Sequence, residues 1–210
     1  MNSRQIDHIV YTVFDLEEAM NSFQQKLGVR PVFGGYHKTE GTKNALLKLD
    51  QGIYLELLAA DDDNKEIAPP RWMGVDFLTQ AQISRWALKS DNLQKDAEIL
   101  QAYNPDMGQI KGGSRAVAGG GLLQWELIMP LSKPEVEVLP FMVDWSQTEV
   151  HPFDQLPEMD CRLEELYMQH PDPVMVKSCF EKLGVELRVD ESDKIGIRAV
   201  IQSPRGRLEI

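Results

Sequence analysis

One tetrapeptide, Lys-Leu-Gly-Val, occurs twice in this chain, at 26–29 and at 182–185, and the segments around both copies read alike. A recurring unit constrains the fold more than composition does, because one copy alone cannot bury its apolar face and needs a neighbour. Ahead of the first copy, Gln5 to Val13 is rich in β-branched and aromatic residues and reads as a strand. Asp15 then stands as a helix N-cap, with Glu18 three residues on as its capping-box partner. Leu16, Ala19, Met20, Phe23 and Leu27 follow at helical spacing, and Gly28 is placed to end the helix. Val29 to Phe33, Asn44 to Leu49 and Ile53 to Leu58 read as three more strands. Gly34-Gly35 is expected to turn the chain, and Asp50-Gln51-Gly52 to join the last two strands as a hairpin. The order is β-α-β-β-β.

The C-terminal copy has the same order. Leu163 to Met168 reads as a strand, Pro171-Asp172-Pro173 opens a helix with Pro173 suited to its first turn, and Glu186 to Val189, Gly196 to Gln202 and Gly206 to Ile210 follow as strands. A weaker copy lies between. Ile83 to Lys89 is its strand, Asp91-Asn92-Leu93 opens a helix to Tyr103, and Gln109 to Ala118 and Leu122 to Met129 flank a Gly119-Gly120-Gly121 turn. Phe141 to Trp145 is an apolar run outside the repeat. The expected fold is α+β, with βαβββ modules at 1–60 and 80–145 and a third, partial unit at 160–210.

With 210 residues and 42% hydrophobic content, the chain can bury a full core. Lys and Arg number 22 against 33 Asp and Glu, and the net charge of −11 argues against nucleic-acid backbones and anionic membranes, both of which select cationic surfaces. No apolar run approaches the ~20 residues of a membrane span, and the first residues lack a signal peptide's apolar stretch. Cys161 and Cys179 form neither a C-x-x-C pair nor a disulfide framework. Gly119-Gly120-Gly121 lacks a Walker lysine, Asp61-Asp62-Asp63-Asn64 lacks EF-hand spacing, and Ser90, Ser114 and Ser203 have no nucleophile elbow. Trp72, Trp86, Trp125 and Trp145 are too scattered for a stacking platform and suit a core or a small-molecule pocket. The expectation is a cytoplasmic protein with a small-molecule substrate or ligand and neither nucleic acid nor membrane as partner.

Strand alternation puts His8 on one face with Ile6, Val10 and Thr12, and Glu56 on one face with Tyr54 and Leu58. A carboxylate on so apolar a strand must reach solvent, pair with a cation or bind something. A tandem βαβββ repeat with Asp7-His8 on its first strand and Leu55-Glu56-Leu57 on its fourth resembles the vicinal oxygen chelate superfamily, the glyoxalase and extradiol dioxygenase group. Asp7-His8-Ile9-Val10, Gly34-Gly35-Tyr36-His37, Gly41 to Leu46, Tyr54 to Leu57, Arg71-Trp72, Leu139 to Trp145 and His151-Pro152 resemble more closely the bacterial glyoxalase-like domain proteins.

The resemblance implies that the first two modules pair into one curved antiparallel half-barrel, a cup in which the first and fourth strands of each module supply ligands to a divalent ion such as Mn, Fe, Ni or Zn. It assigns His8 and Glu56 as metal ligands, with His151 favoured over Glu126 and His37 as the third. Glu56 and Glu126 are the candidate catalytic carboxylates, and His37, Asn44, Tyr54, Arg85 and Trp125 the candidate substrate contacts. Aligned on Leu16 and Leu93, His8 falls opposite Arg85, which stays protonated and cannot ligate a metal. Arg85 could instead pair with Glu56 or Glu126 and hold an acidic substrate. Three readings follow. One is a metal-dependent isomerase, lyase or dioxygenase acting on adjacent oxygens, and another is a non-catalytic binding protein. The last is a unit that forms a homodimer through its final strand.

Overall fold

The computed structural model describes residues 4–116 and 122–210. Its first module runs β1 (Ile6–Thr12), α1 (Leu16–Leu27), β2 (Val32–His37), β3 (Thr42–Lys48) and β4 (Tyr54–Ala60). The second runs β5 (Gln82–Lys89), α2 (Leu93–Tyr103), β6 (Ile110–Ala116), β7 (Leu122–Ile128) and β8 (Phe141–Asp144). These eight strands form one curled half-barrel in the order β2-β3-β4-β1-β5-β8-β7-β6. β1 and β5 pair antiparallel at the centre, β4 runs parallel to β1, and β8 runs parallel to β5. Phe141 to Trp145 is therefore not outside the repeat: as β8 it is the fourth strand of the second module, the place β4 takes in the first.

Local chemistry sets the helix ends. The Asp15 carboxylate accepts the Glu18 N–H, Asn92 caps α2 through the Lys95 N–H, and Gly28 ends α1 at φ 82°. Gly34-Gly35 lies inside β2 rather than turning the chain; the reversal comes at 38–41, where the N–H groups of Glu40 and Gly41 donate to the His37 carbonyl. The expected turn at Gly119-Gly120-Gly121 lies outside the described residues.

The C-terminal unit keeps the element order but not the pairing. It comprises β9 (Arg162–His170), α3 (Pro173–Leu183), β10 (Arg188–Glu191), β11 (Gly196–Ser203) and β12 (Gly206–Glu209), paired as β10-β9-β11-β12. Here the strand after the helix returns beside the first strand and parallel to it. In the half-barrel that strand goes to the sheet edge instead.

The main core lies between the outer face of the half-barrel, carrying Ile9, Leu55, Trp86 and Met142, and a layer of α1, α2 and the C-terminal unit. Phe180 of α3 packs edge-on to Trp86 with centroids 5.8 Å apart. The inner face carries a smaller cluster that includes Val10, Leu58, Ala87, Leu127 and Phe141. Among the described residues no helix is long and apolar enough to cross a membrane.

Candidate functional site

The site begins with an irregularity in β1. Ile6 pairs with Leu88 and His8 with Ala87, so Asp7 is an extra residue in the ladder, a β-bulge. In a regular strand Asp7 and His8 would point to opposite faces. The bulge re-aims Asp7, and its carboxylate lies 2.6 Å from His8 Nδ1. Asp7 is fully buried, so its charge needs partners. His8 Nδ1, His151 Nε2 at 2.8 Å and Trp145 Nε1 at 3.1 Å supply them. Burial alone would raise the Asp7 carboxyl, but the hydrogen bonds and charge of His151 and His8 more than offset it and hold the group well below the ordinary carboxylate range.

The hydrogen bonds also assign the ring protons. His151 Nδ1 accepts the Phe153 N–H at 3.2 Å, so its proton sits on Nε2 and is donated to Asp7. His8 hydrogen-bonds Asp7 through Nδ1, which leaves Nε2 directed inward, 3.6 Å from Glu56 Oε2. Glu56 is itself buried and held by Asn44, whose amide donates to Oε1 at 2.6 Å. His37 Nε2 lies 4.0 Å from the same oxygen, and its Nδ1 is 3.0 Å from Thr42 Oγ1. The Tyr54 ring stacks on the His8 imidazole at 4.8 Å, and Phe141 meets it edge-on at 5.3 Å.

These groups line one cavity of the half-barrel. His8, Glu56, His37 and Asn44 form its polar part, and Trp72, Trp125, Trp145, Tyr54 and Phe141 are among its walls. The structure thus brings together six of the residues singled out from the sequence: His8, Glu56, His37, Asn44, Tyr54 and Trp125. Asp7 was missed as a site residue, and Trp72 and Trp145, read from the sequence only as suiting a core or a small-molecule pocket, line this one. The Asp-His dipeptide was a signal for Asp7, but strand alternation argued against its facing His8.

Three assignments are corrected. Arg85 does not pair with Glu56 or Glu126: its guanidinium donates to the carbonyls of Ser84, Leu131, Lys133 and Glu135 and ties down the loop before β8. Glu126 is exposed, on the face of β7 opposite Trp125 and Leu127, and lines an outer groove with Gln124 and Gln147. His151 has no nitrogen left for a metal, since one accepts from Phe153 and the other donates to Asp7.

The side chains present do not fit the divalent ion that the family resemblance implies. The spacing that relates Leu16 to Leu93 relates His8 to Arg85 and Val10 to Ala87. Glu56 lies opposite Val10, and Phe141 lies opposite Ala87. The second module therefore offers a buried cation and a phenyl ring at the two ligand positions. His37 and Glu56 are separated by the Asn44 amide, a donor where a metal needs acceptors. Among the described residues no group of three or more His, Cys, Asp or Glu side chains is arranged to hold a metal.

The family described as the glyoxalase-like domain matches residues 6–184. No curated protein matches the chain. A hypothetical protein from Staphylococcus aureus shares the fold at 16% identity and a TM-score of 0.70, with 96% of this chain and 92% of that one covered. Methylmalonyl-CoA epimerases align less well. The Streptomyces coelicolor enzyme does so at 17% identity and a TM-score of 0.45, over 71% of this chain and 99% of its own. The Mycobacterium tuberculosis enzyme gives 20% and 0.42, over 66% and 86%.

Proposed function

The chain belongs to the glyoxalase-like domain family, and from that premise we propose that it is a small-molecule enzyme working by proton transfer, with His8 as the proton acceptor. The observation that carries this reading is the placement of the His8 ring: Nδ1 is committed to a buried carboxylate while Nε2 faces the cavity. The Asp7 carboxylate fixes the tautomer and lies ready to stabilise the imidazolium that forms when Nε2 takes a proton. Glu56, positioned by Asn44, accepts a hydrogen bond from the substrate, and the imidazolium of His8 returns the proton that it took. The aromatic walls and the strap at 146–155, which delivers His151 to Asp7, limit water around the charges and so strengthen them. No step is routed through a metal, because the donor set does not fit one.

The test is solvent-deuterium exchange. The protein is kept in EDTA and D2O with a panel of small α-hydroxy and α-amino carbonyl compounds, and loss of the C–H signal is followed by proton NMR. Exchange into at least one compound is expected, falling by roughly 10²- to 10⁴-fold in His8→Ala, the usual worth of a general base. Exchange that is undiminished in His8→Ala, or that needs added Mn, Fe, Ni or Zn, contradicts the proposal. Binding without exchange would favour the non-catalytic reading, which the apolar cavity also suits.

A further inference from the structure

We propose that the cavity continues into a second subsite along the open edge of β6, and that this subsite takes the amide of an N-acyl or peptide-like small molecule; the proposal rests on the reading of the cavity as the substrate site. A cleft adjoins the cavity, and His37, Trp72, Trp125 and Leu127 line both. Thr39 and Glu40 of the 38–41 turn form part of one lip and Lys111 to Ser114 of β6 the other, with Lys111 Nζ 2.7 Å from Glu40 Oε1. β6 ends the eight-stranded sheet and, among the described residues, pairs only with β7. Its outer edge therefore presents N–H donors and C=O acceptors that no strand takes. Gly112 and Gly113 leave that backbone uncovered, and glycine inside a strand often marks close approach by a ligand or another chain. Trp125 accounts for Gly113, whose Cβ would lie 2.6 Å from the indole. No described neighbour demands glycine at 112, where a Cβ would meet only the Trp125 carbonyl, at 3.8 Å.

The chemistry of that edge selects the ligand class. A secondary amide carries one N–H donor and one C=O acceptor, so it meets both kinds of edge group, as an added strand does. An ester or ether offers no donor, and a carboxylate or phosphate meets only the N–H groups. Lys111 is taken by Glu40, and among the described residues no other Lys or Arg lines the cleft, so no free cation stands ready for an anion. At the junction of cleft and cavity Trp72 is buried, and its indole N–H has no hydrogen-bond partner among the described residues. An unmet buried donor is costly, and a ligand carbonyl passing the junction supplies the acceptor it lacks. Trp125, Leu127 and Met129 offer apolar surface to the rest of the molecule. These contacts leave His8 to the reacting carbon.

The probes are matched sets that differ only in the linking group: N-benzylacetamide, N-benzyl-N-methylacetamide and benzyl acetate, and the corresponding n-butyl compounds. Each is titrated into the full chain in EDTA at neutral pH, with tryptophan fluorescence for affinity and nitrogen-15 NMR for location. The secondary amide of at least one series should bind about fivefold or more tightly than its N-methyl amide and its ester, the worth of roughly one hydrogen bond. It should also shift the backbone signals of Lys111 to Ser114 and the indole signal of Trp72. An ester or N-methyl amide that matches the secondary amide in both series overturns the proposal. Binding that leaves the 111–114 signals unmoved does so too, as does the absence of binding by all six. A dimer, seen by light scattering, whose formation protects those amides also overturns it, since the edge then belongs to a second copy of the chain. The exchange assay is a separate test. Amide binding at β6 without exchange overturns the proton-transfer reading alone, whereas exchange confined to compounds without an amide overturns this one alone.

Discussion

Asp7 is the residue on which the site turns, since its carboxylate orders His8, His151 and Trp145 at once. Asp7→Asn should cost about 2–4 kcal/mol at pH 7, because it removes a charged acceptor from three buried donors. The pH dependence follows from the depressed carboxyl. With a folded pKa below the unfolded value of about 3.9, the unfolded chain binds more protons through the acid range. The contribution is complete above that value and fades as pH falls toward the folded pKa. Urea titrations from pH 7 to pH 3 should show wild type and Asp7→Asn converging. Arg85 belongs to the same scale. Burial lowers its guanidinium to about 10, against the opposing charges of Glu137 and Glu135, so it remains a cation at neutral pH. Arg85→Met should cost about 2–4 kcal/mol through the carbonyls it strands, and the same titrations at pH 7 will measure it. The sequence marked His8 and Glu56 because Asp7-His8 on the first strand and Leu55-Glu56-Leu57 on the fourth carry the family resemblance. It could not mark Asp7, because a bulge leaves no residue signature, and it misread His151 because ring occupancy depends on Phe153, Trp145 and Asp7 meeting in space.

At the level of elements, the repeated Lys-Leu-Gly-Val says less than it promised. Both copies end a helix at a left-handed glycine, Gly28 at φ 82° and Gly184 at φ 72°, and that shared stop explains the shared letters. The strands that follow take different places, one at a sheet edge and the other beside its parent strand. The two glycines also differ in surroundings. A Cβ on Gly28 would press on Arg205 at 3.0 Å, whereas one on Gly184 meets nothing within 4 Å. Thermal melts should therefore find Gly28→Ala costlier than Gly184→Ala, which bears only the left-handed penalty of about 1–2 kcal/mol. Gly34 ties β2 to the site: a Cβ there would lie 2.5 Å from Asn44 Oδ1. Gly34→Ala should displace Asn44 from Glu56 and weaken ligand binding while the far-ultraviolet circular dichroism stays native. β8 escaped the sequence reading because the stretch from Pro130 to Pro140 separates it from β7, and distance along the chain hid its place in the module.

For the whole molecule, the half-barrel and the C-terminal unit share one core, with Phe180 against Trp86, and the Arg4 backbone N–H donates to the Gly184 carbonyl at 3.0 Å. Unfolding should accordingly be a single transition, and Phe180→Ala should lower its stability by about 3–5 kcal/mol without splitting it. The α+β class was legible because apolar periodicity and helix caps act locally, and the curved half-barrel was legible only through the family resemblance. The seating of the C-terminal sheet on the helix layer was not, because it depends on surfaces far apart in sequence. What the assembled fold delivers to the cavity is the tautomer of one ring, and nitrogen-15 NMR of imidazole-labelled protein in EDTA reads it directly. At neutral pH the His8 signals should show a protonated Nδ1 and an unprotonated Nε2, a state that relaxes toward the mixture of a free imidazole in Asp7→Asn. A proton on Nε2 in the wild type, or an Nε2 signal that reports bound metal once Zn is added, would contradict the assignment of His8 as a metal-free base.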